Sequence, residues 1–500
     1  MLLGVQAAGR ARVGTVSGPD LPPPPRQSPG GRVAGWSLRR RTSRVVRPTG
    51  PPTVGIPVWT GPDGVSRETA LAVIDLAVRA GVSLLSTGAG AADVVGTVLR
   101  LTSAYGLRSV HVDVTFSAVT VSYHRGPNAE PVSVLRVVRT RVQDFTRLER
   151  LRTLVVEIAD HPVDLEEARV RFDAVIGARH PYRRWFVTAA LGVLSAGVAT
   201  LFDAGWLVIL VSFLASALVA VVQHRLGRVG VAAFFTQVVG SAIPTTVAIL
   251  VSLVQRESGL LQGVLPSLVV ASGIVVLLSG LSVVGAAQDA IEGFYVTAGA
   301  RAFEVLVLTL GIVVGVTVVL ALAHRLGVAM TITTDSAVEV SGAVQVLASA
   351  VIAGAFAVSS YAGGLSATVA ALAGGSGWAV FLLLTGLDAG RPTASAIAAF
   401  LAGFTAQLVA RRIHVPALAV TTASIVPLLP GQAVYQGIFE IVSDASGPGL
   451  YQGLGTLLGA AGVGMGLAAG VSLGTYLAHF LQDHRSGRRR RGAPGAQGVA

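Results

Sequence analysis

Two carboxylates stand in a part of this sequence where charge is costly. Asp289 and Glu292 follow the apolar stretch "IVVLLSGLSV" (274–283), and a carboxylate in such a setting reads first as a proton carrier or part of an ion path. That stretch contains Ser279-Gly280, and a second one, "IVPLLPGQAV" (425–434), holds Pro430, Gly431 and Gln432 at its middle. Residues of this kind interrupt a helix, and the freed backbone groups are tolerable within a bilayer only where they face protein or a wet cavity. A third interruption is expected in "SAIPTT" (241–246), through Pro244 with the hydroxyls of Thr245 and Thr246. Gln288, Gln407 and Gln432, with Gln237, are amides able to contact a zwitterion. Each group also has a plainer reading. Asp289 and Glu292 could cap helix ends at the interface, as could Glu440, and the glutamines could bond a neighbouring helix. The threonines could bond back to their own helix.

The elements that position these residues follow from composition. Of 500 residues 52% are hydrophobic and 13% charged, and the mean hydropathy is +0.68, too little charge to cover a soluble surface. The apolar residues gather between Trp185 and Phe480 into about ten runs of span length. The net charge of +12 lies largely in arginine clusters such as "RRRTSR" (39–44) and "RSGRRRR" (485–491), without the aromatic interleaving of a nucleic-acid binder. With no cysteine there is no thiol nucleophile or thiolate metal site. Residues 1–62, rich in proline, arginine and glycine, are expected to be disordered and do not read as a signal peptide; 483–500 is expected to be a basic disordered tail. Residues 63–180 read as a small α+β domain. Helices are expected near 66–88, 89–107, 144–158 and 163–177, and strands near 109–116, 118–124 and 131–138. Leu71, Ile74, Val78 and Leu85 would share one buried face of the first helix. Within that domain His111, Asp113, His124, Asp160 and His161 are the candidates for chemistry, with a polar strand face as the simpler account. The Gly-rich "TGAGAADVVG" (87–96) lacks the lysine of a phosphate loop.

The two interrupted stretches align without gaps, 274–283 on 425–434, and agree at Ile, Val, Leu, Leu, Gly and Val. They divide the membrane part into 181–330 and 335–482, each with five spans. An odd number of crossings inverts the second copy, and inverted repeats with matching helix breaks are the architecture of alternating-access transporters. With the N-terminus inside, Arg183, Arg184, Arg225, Arg228, Arg301, Arg411, Arg412 and the terminal cluster are cytoplasmic, whereas Arg256, Arg325 and Arg391 are outside. Both termini, and the α+β domain, are then cytoplasmic.

"AGVSLLSTGAGAADVVGTVLRLTSAYGL" with "VHVDVTFSAVTVSY" resembles the cytoplasmic domain of the bacterial threonine/serine exporter family, and "VVLLSGLSVVGAAQDAIEGFYVTAGAR" and "IVPLLPGQAVYQG" resemble its two membrane modules. The resemblance implies a secondary transporter of the bacterial cytoplasmic membrane that exports threonine and serine at the expense of the proton motive force. It implies ten spans after a hydrophilic domain, and a family in which the two modules also occur as separate chains. "LFDAGW" (201–206) departs from the glycine-rich turn expected there. On this reading Ser279, Gly280, Gln288, Gln407, Pro430, Gly431 and Gln432 would bind substrate, and Asp289 or Glu292 would carry the proton. The partners are small amino acids, protons and the bilayer, with self-association left open and no nucleic acid. No cofactor, metal or catalytic residue is expected. The competing classes are a membrane-anchored hydrolase using His111 and Asp113, and a passive channel or subunit of a larger complex.

Overall fold

Ser66 accepts a hydrogen bond from the Thr69 amide at 3.1 Å and so caps α1 (Arg67–Ser86). In this computed structural model, which describes residues 65–124, 130–138, 141–258, 265–277, 280–327, 341–413, 415, 417–443 and 447–491, the α+β domain continues with α2 (Ala91–Ala104), β1 (Val110–Thr115), β2 (Ala118–Tyr123) and β3 (Val132–Val137). Then come α3 (Phe145–Asp160) and α4 (Leu165–Gly177). Gly88 (φ 104°) and Gly106 (φ 83°) take the left-handed backbone that ends α1 and α2. The strands form an antiparallel meander in which Val112 faces Val121 and Val121 faces Val134. One sheet face buries Val114, Val119, Val121 and Tyr123 with the stripes Ile74-Val78-Leu85 of α1 and Val94-Val95-Val98-Leu101 of α2. Leu71, expected in the α1 stripe, lies at its edge and is exposed.

The membrane part runs α5 (Arg184–Leu201), α6 (Trp206–Val229), α7 (Ala233–Ser258), α8 (Pro266–Leu277), α9 (Gly280–Ile291) and α10 (Tyr295–Arg325). It continues with α11 (Gly342–Ser359), α12 (Gly364–Gly386), α13 (Arg391–Ile413), α14 (Ala417–Ile425), a 3₁₀ turn (Val426–Leu428), α15 (Gly431–Ser443) and α16 (Pro448–Arg491). Among the described residues nine helices are long and apolar enough to span a bilayer; α1 is one, but its apolar side fills the α+β core. Lipid explains what remains exposed elsewhere. Along α10, Leu306, Leu310, Val314, Val318 and Leu322 recur at helical spacing with none buried, a stripe no aqueous surface would carry. The chain is a polytopic α-helical membrane protein preceded by a small α+β domain.

Helix starts at 184, 206 and 233 recur at 342, 364 and 391, and starts at 266 and 280 recur at 417 and 431. Packing recurs as well: α5 on α6 as α11 on α12, α7 on α10 as α13 on α16, and α9 on α10 as α15 on α16. The "LFDAGW" turn has a simple account. Asp203 (φ 56°) takes the left-handed position after α5, as Tyr361 (φ 60°) does after α11. The Ala204 N–H reaches back to Ala199 O and the Ala362 N–H to Ala357 O, so one capping geometry serves both turns. Aspartate tolerates that backbone better than most residues.

Two expectations fail. No break occurs at Pro244: α7 runs through it, and Thr245 and Thr246 donate to Ser241 O and Ala242 O, both at 2.8 Å. The ring instead fits against Gly273 of α8, where an added Cβ would lie 2.6 Å from the Pro244 Cβ. Nor is the whole of 483–500 irregular, because α16 continues to Arg491; extending an existing helix avoids the nucleation cost, and arginine is a good helix former. Residues 1–62 lie outside the described residues.

Candidate functional site

The two interrupted helices meet. Gly431, at the start of α15, faces Val275 of α8 so closely that an added Cβ would stand 3.0 and 3.1 Å from its methyl groups. Val275, Val276 and Val426 pack in one cluster with Leu194 and Val198 of α5 and Ile352 and Ala355 of α11. The last turn of α8 and the start of α15 therefore sit beside each other, against α5 and α11. Pro427 lies in the 3₁₀ turn, and Pro430 directly precedes α15. Its sequence-aligned counterpart, Ser279, lies outside the described residues, while Gly280 begins α9 as Gly431 begins α15.

The end of α8 is held by amides. Gln237 Nε2 of α7 donates to Leu277 O at 3.3 Å, and Gln223 Nε2 of α6 donates to Gln237 Oε1 at 3.3 Å. This answers one of the carbonyls that a helix C-terminus leaves free. Gln237 thus bonds a neighbouring helix, the plainer of its two readings. Gln223 was not singled out in the sequence, because it precedes His224-Arg225 and reads there as an interfacial residue. Gln432 occupies the first turn of α15, and Gln407 is half-buried in α13. Glu440 accepts from Thr456 Oγ1 at 3.0 Å, tying α15 to α16.

Gln288, Asp289 and Glu292 stand elsewhere. Asp289 is nine residues past Gly280, roughly 13 Å along the helix axis, at the end of α9 that meets the α+β domain. Asp289 is 1% exposed, and its Oδ1 accepts from the Ala91 N–H at 3.2 Å. Ala91 opens α2 behind Gly90, a cap position with no side chain of its own to offer. The anion filling this helix N-terminus is the Asp289 carboxylate, so the "TGAGAADVVG" segment seats a protein group. Asp289 Oδ2 lies 3.2 Å from Arg301 Nε of α10, both atoms buried without an aligned hydrogen bond. Arg301 Nη2 reaches Ala89 O at 3.4 Å, and Thr297 Oγ1 donates to Val114 O at 2.9 Å. Gly285 leaves the room this needs, since an added Cβ would stand 2.7 Å from Arg301 Nη1. Glu292, one residue past α9, is pushed up to about 7, by burial first and then by Asp93 and Asp289, with Arg301 opposing. Arg141, its guanidinium carbon 3.7 Å from the centre of the Phe116 ring, is lowered by burial and by Arg301.

A second junction joins the same domain to the other helix set. The Phe145 N–H donates to Ser360 O at 3.0 Å, Thr146 Oγ1 donates to Tyr361 O, and the Tyr361 ring stacks on His180 at 4.4 Å. The core of the domain runs on into Ala357, Ala362, Ala367 and Ala370 of that turn and its helices, and into Ala419 and Ala423 of α14. His111 and Asp113 lie exposed on the outer sheet face, with the His111 ring edge-on to His124 at 5.4 Å. No group of three or more metal-ligating side chains occurs among the described residues.

Comparison with known proteins agrees with this architecture. The family described as "Putative threonine/serine exporter" matches residues 75–323, and the one described as "Threonine/Serine exporter, ThrE" matches 345–474. The chain is 35% identical over 418 residues to a "Probable threonine/serine exporter" of Mycobacterium tuberculosis (strain ATCC 25618 / H37Rv), covering 82% of this chain and 77% of the relative. It is 35% identical over 453 residues to a "Threonine/serine exporter" of Corynebacterium glutamicum, covering 89% and 90%. A more distant relative, the "Probable succinate transporter subunit YjjP" of Escherichia coli (strain K12), is 24% identical over 255 residues, 51% of this chain and 96% of that one. No solved structure matches. The family matches cover both the segment that carries Asp289 and Arg301 and the segment that carries the second break, and with two relatives at 35% identity over most of their length they show that the chain belongs to the threonine/serine exporter family.

Proposed function

We propose that this protein exports threonine and serine from the bacterial cytoplasm against their gradients, driven by the proton motive force. Its membrane part would be two inverted five-span repeats with both termini inside. The observation that carries the reading is the meeting of α8 with α15 at Val275 and Gly431, which brings two broken helices together in the interior of the protein. Helix ends there expose carbonyl groups suited to an ammonium and N–H groups suited to a carboxylate, the two charges of an amino acid. Gly280, Pro430, Gly431 and Gln432, with Ser279, would form that seat, and Gln407 would line its approach. Glu292 is the better proton carrier of the two carboxylates. It is half-buried and titrates near neutrality, whereas the charge of Asp289 is committed to Arg301 and the α2 N-terminus. Gln288 stands beside them in the last turn of α9 and would serve the carboxylates more directly than the seat.

The test is threonine uptake into inside-out vesicles energised by respiration. The wild-type protein should accumulate threonine until a protonophore is added, and Gly431→Val should abolish accumulation while the protein remains folded. Accumulation that survives the protonophore would overturn the coupling, and full activity in Gly431→Val would overturn the seat. Because the chain has no cysteine, single cysteines placed at the exposed Asp203 and Gly363 would report the topology directly. Inversion requires position 203 to be labelled from outside and position 363 only from the cytoplasm.

A further inference from the structure

The arginines of the α+β domain differ in whether they are ion-paired; Arg147 pairs with Asp144 at 3.8 Å. Arg79, Arg136, Arg152, Arg169 and Arg171 each pair with a carboxylate of the same domain. Arg150 and Arg179 are exposed and form no ion pair among the described residues, as do Arg183, Arg225 and Arg228, which lie where α5 and α6 end toward the domain. Arg150 and Arg179 line a shallow, half-open cleft with Arg147 and His180, between the start of α3 and the segment leading into α5. The one carboxylate there, Asp144, is 3% exposed. It accepts from the Arg147 amide at 2.9 Å and contacts His180 Nδ1 at 3.0 Å, so it offers the cleft little free negative charge. Immediately along the chain come Trp185 and Phe186, 67% and 40% exposed. Aromatic rings at the start of a span favour the boundary of headgroup and hydrocarbon, which sets the start of α5 near headgroup level.

We infer that this cleft is a binding site for the phosphate of an anionic phospholipid in the cytoplasmic leaflet, with Arg150 and Arg179 as its principal ligands. A general attraction of arginine for the inner leaflet does not account for it. That attraction needs only charge, whereas here Arg150 and Arg179 share one shallow cleft a few residues from the exposed Trp185 and Phe186, and the one carboxylate of the cleft is buried against Arg147 and His180. An amphipathic occupant is favoured over a free phosphate because the chain leaving the cleft at Pro181 leads within five residues to the exposed rings of Trp185 and Phe186.

The full-length protein, purified in a neutral detergent, would be titrated with phosphatidylglycerol or phosphatidylcholine and followed by native mass spectrometry. Phosphatidylglycerol should bind saturably and phosphatidylcholine should not. Each arginine near a surface of anionic lipid contributes about a factor of five, so Arg150→Ala with Arg179→Ala should weaken binding about twenty-five-fold, and Arg100→Ala, outside the cleft, should leave it unchanged. Equal binding of both lipids, or an unchanged affinity in the double variant with the thermal unfolding midpoint preserved, would overturn the site. Inorganic phosphate at millimolar concentration competing as well as the lipid would overturn the assignment to lipid. All three readouts are independent of transport, so failure here leaves the exporter reading intact.

Discussion

Asparagine at position 289 would preserve the shape of the side chain and an acceptor for the Ala91 N–H while removing the charge. Arg301, whose side chain is 12% exposed, would then keep its own charge with its nearest carboxylate gone. Stranding one member of a buried pair costs about 3–5 kcal/mol. The lower end applies here, because Glu292 also faces Arg301 and offsets part of the loss, so Asp289→Asn should weaken this junction by about 3 kcal/mol. Adding Arg301→Met removes the stranded charge, and the pair replaced together should cost roughly 1 kcal/mol, so the second substitution recovers about 2 kcal/mol. The readout is amide hydrogen exchange in the full-length protein across residues 87–95, where the Ala91 N–H is the donor to Asp289. Since about 1.4 kcal/mol is a factor of ten, exchange there should speed up roughly a hundredfold in Asp289→Asn and recover most of that in the double variant. Wild-type exchange in the single variant, or a double variant as fast as the single, would show that the ion pair does not hold the domain to the α9–α10 turn.

Glu292 gives a pH test. Its folded value near 7 lies above the ordinary 4.5, so its contribution to stability is fully present below about 4.5 and is lost as pH rises through 7. Glu292→Gln should therefore flatten the decline in unfolding midpoint between pH 5 and 8, and a curve parallel to wild type would sink the assignment. In α16, an added Cβ at Gly470 would collide with the Ala396 carbonyl of α13, whereas at Gly459 nothing stands within 4 Å. Gly470→Ala should destabilise the protein by about 2 kcal/mol and Gly459→Ala should be neutral or slightly stabilising, as thermal unfolding in detergent would show. Gln237→Leu removes the amide that answers Leu277 O and strands the Gln223 donor. A loss of about 1–2 kcal/mol is expected, recovered in part by Gln223→Leu in the same chain, and an additive result would mean the amides act separately.

Local pattern made much of this fold readable. The Ile74-Val78-Leu85 stripe of α1 and the three strands rest on residues within a few positions of one another. The alignment of 274–283 with 425–434 located the helix starts at Gly280 and Gly431, because glycine and proline act on the backbone where they stand. Pro244 misled because its effect depends on the neighbour: Gly273 makes room for the ring, and α7 continues. Asp289 was legible as unusual, but its partners were not. Ala91 is 198 positions away, and nothing near either residue indicates that a helix N-terminus and a carboxylate will meet. The same distance separated the Gly-rich segment from its explanation.

The α+β domain also bears on the order of the helices. It touches the α9–α10 turn through Asp289 and Thr297 and the α11–α12 turn through Ser360 and Tyr361. One domain outside the lipid cannot reach both faces of a membrane, so these turns share a face. By the recurrence of helix starts, the counterpart of the α11–α12 turn in the first set is the α5–α6 turn at Asp203. Between Asp203 and the α9–α10 turn lie α6, α7 and the interrupted α8–α9. If that interrupted pair crosses once, the number of crossings is odd and Asp203 stands on the opposite face from its counterpart Tyr361. The two sets would then differ in which of their turns meet the cytoplasm, and a single domain could hold both only by gripping non-equivalent turns. That is the grip observed: the α9–α10 turn and the α11–α12 turn, both held by the α+β domain, are not counterparts in the recurrence of helix starts.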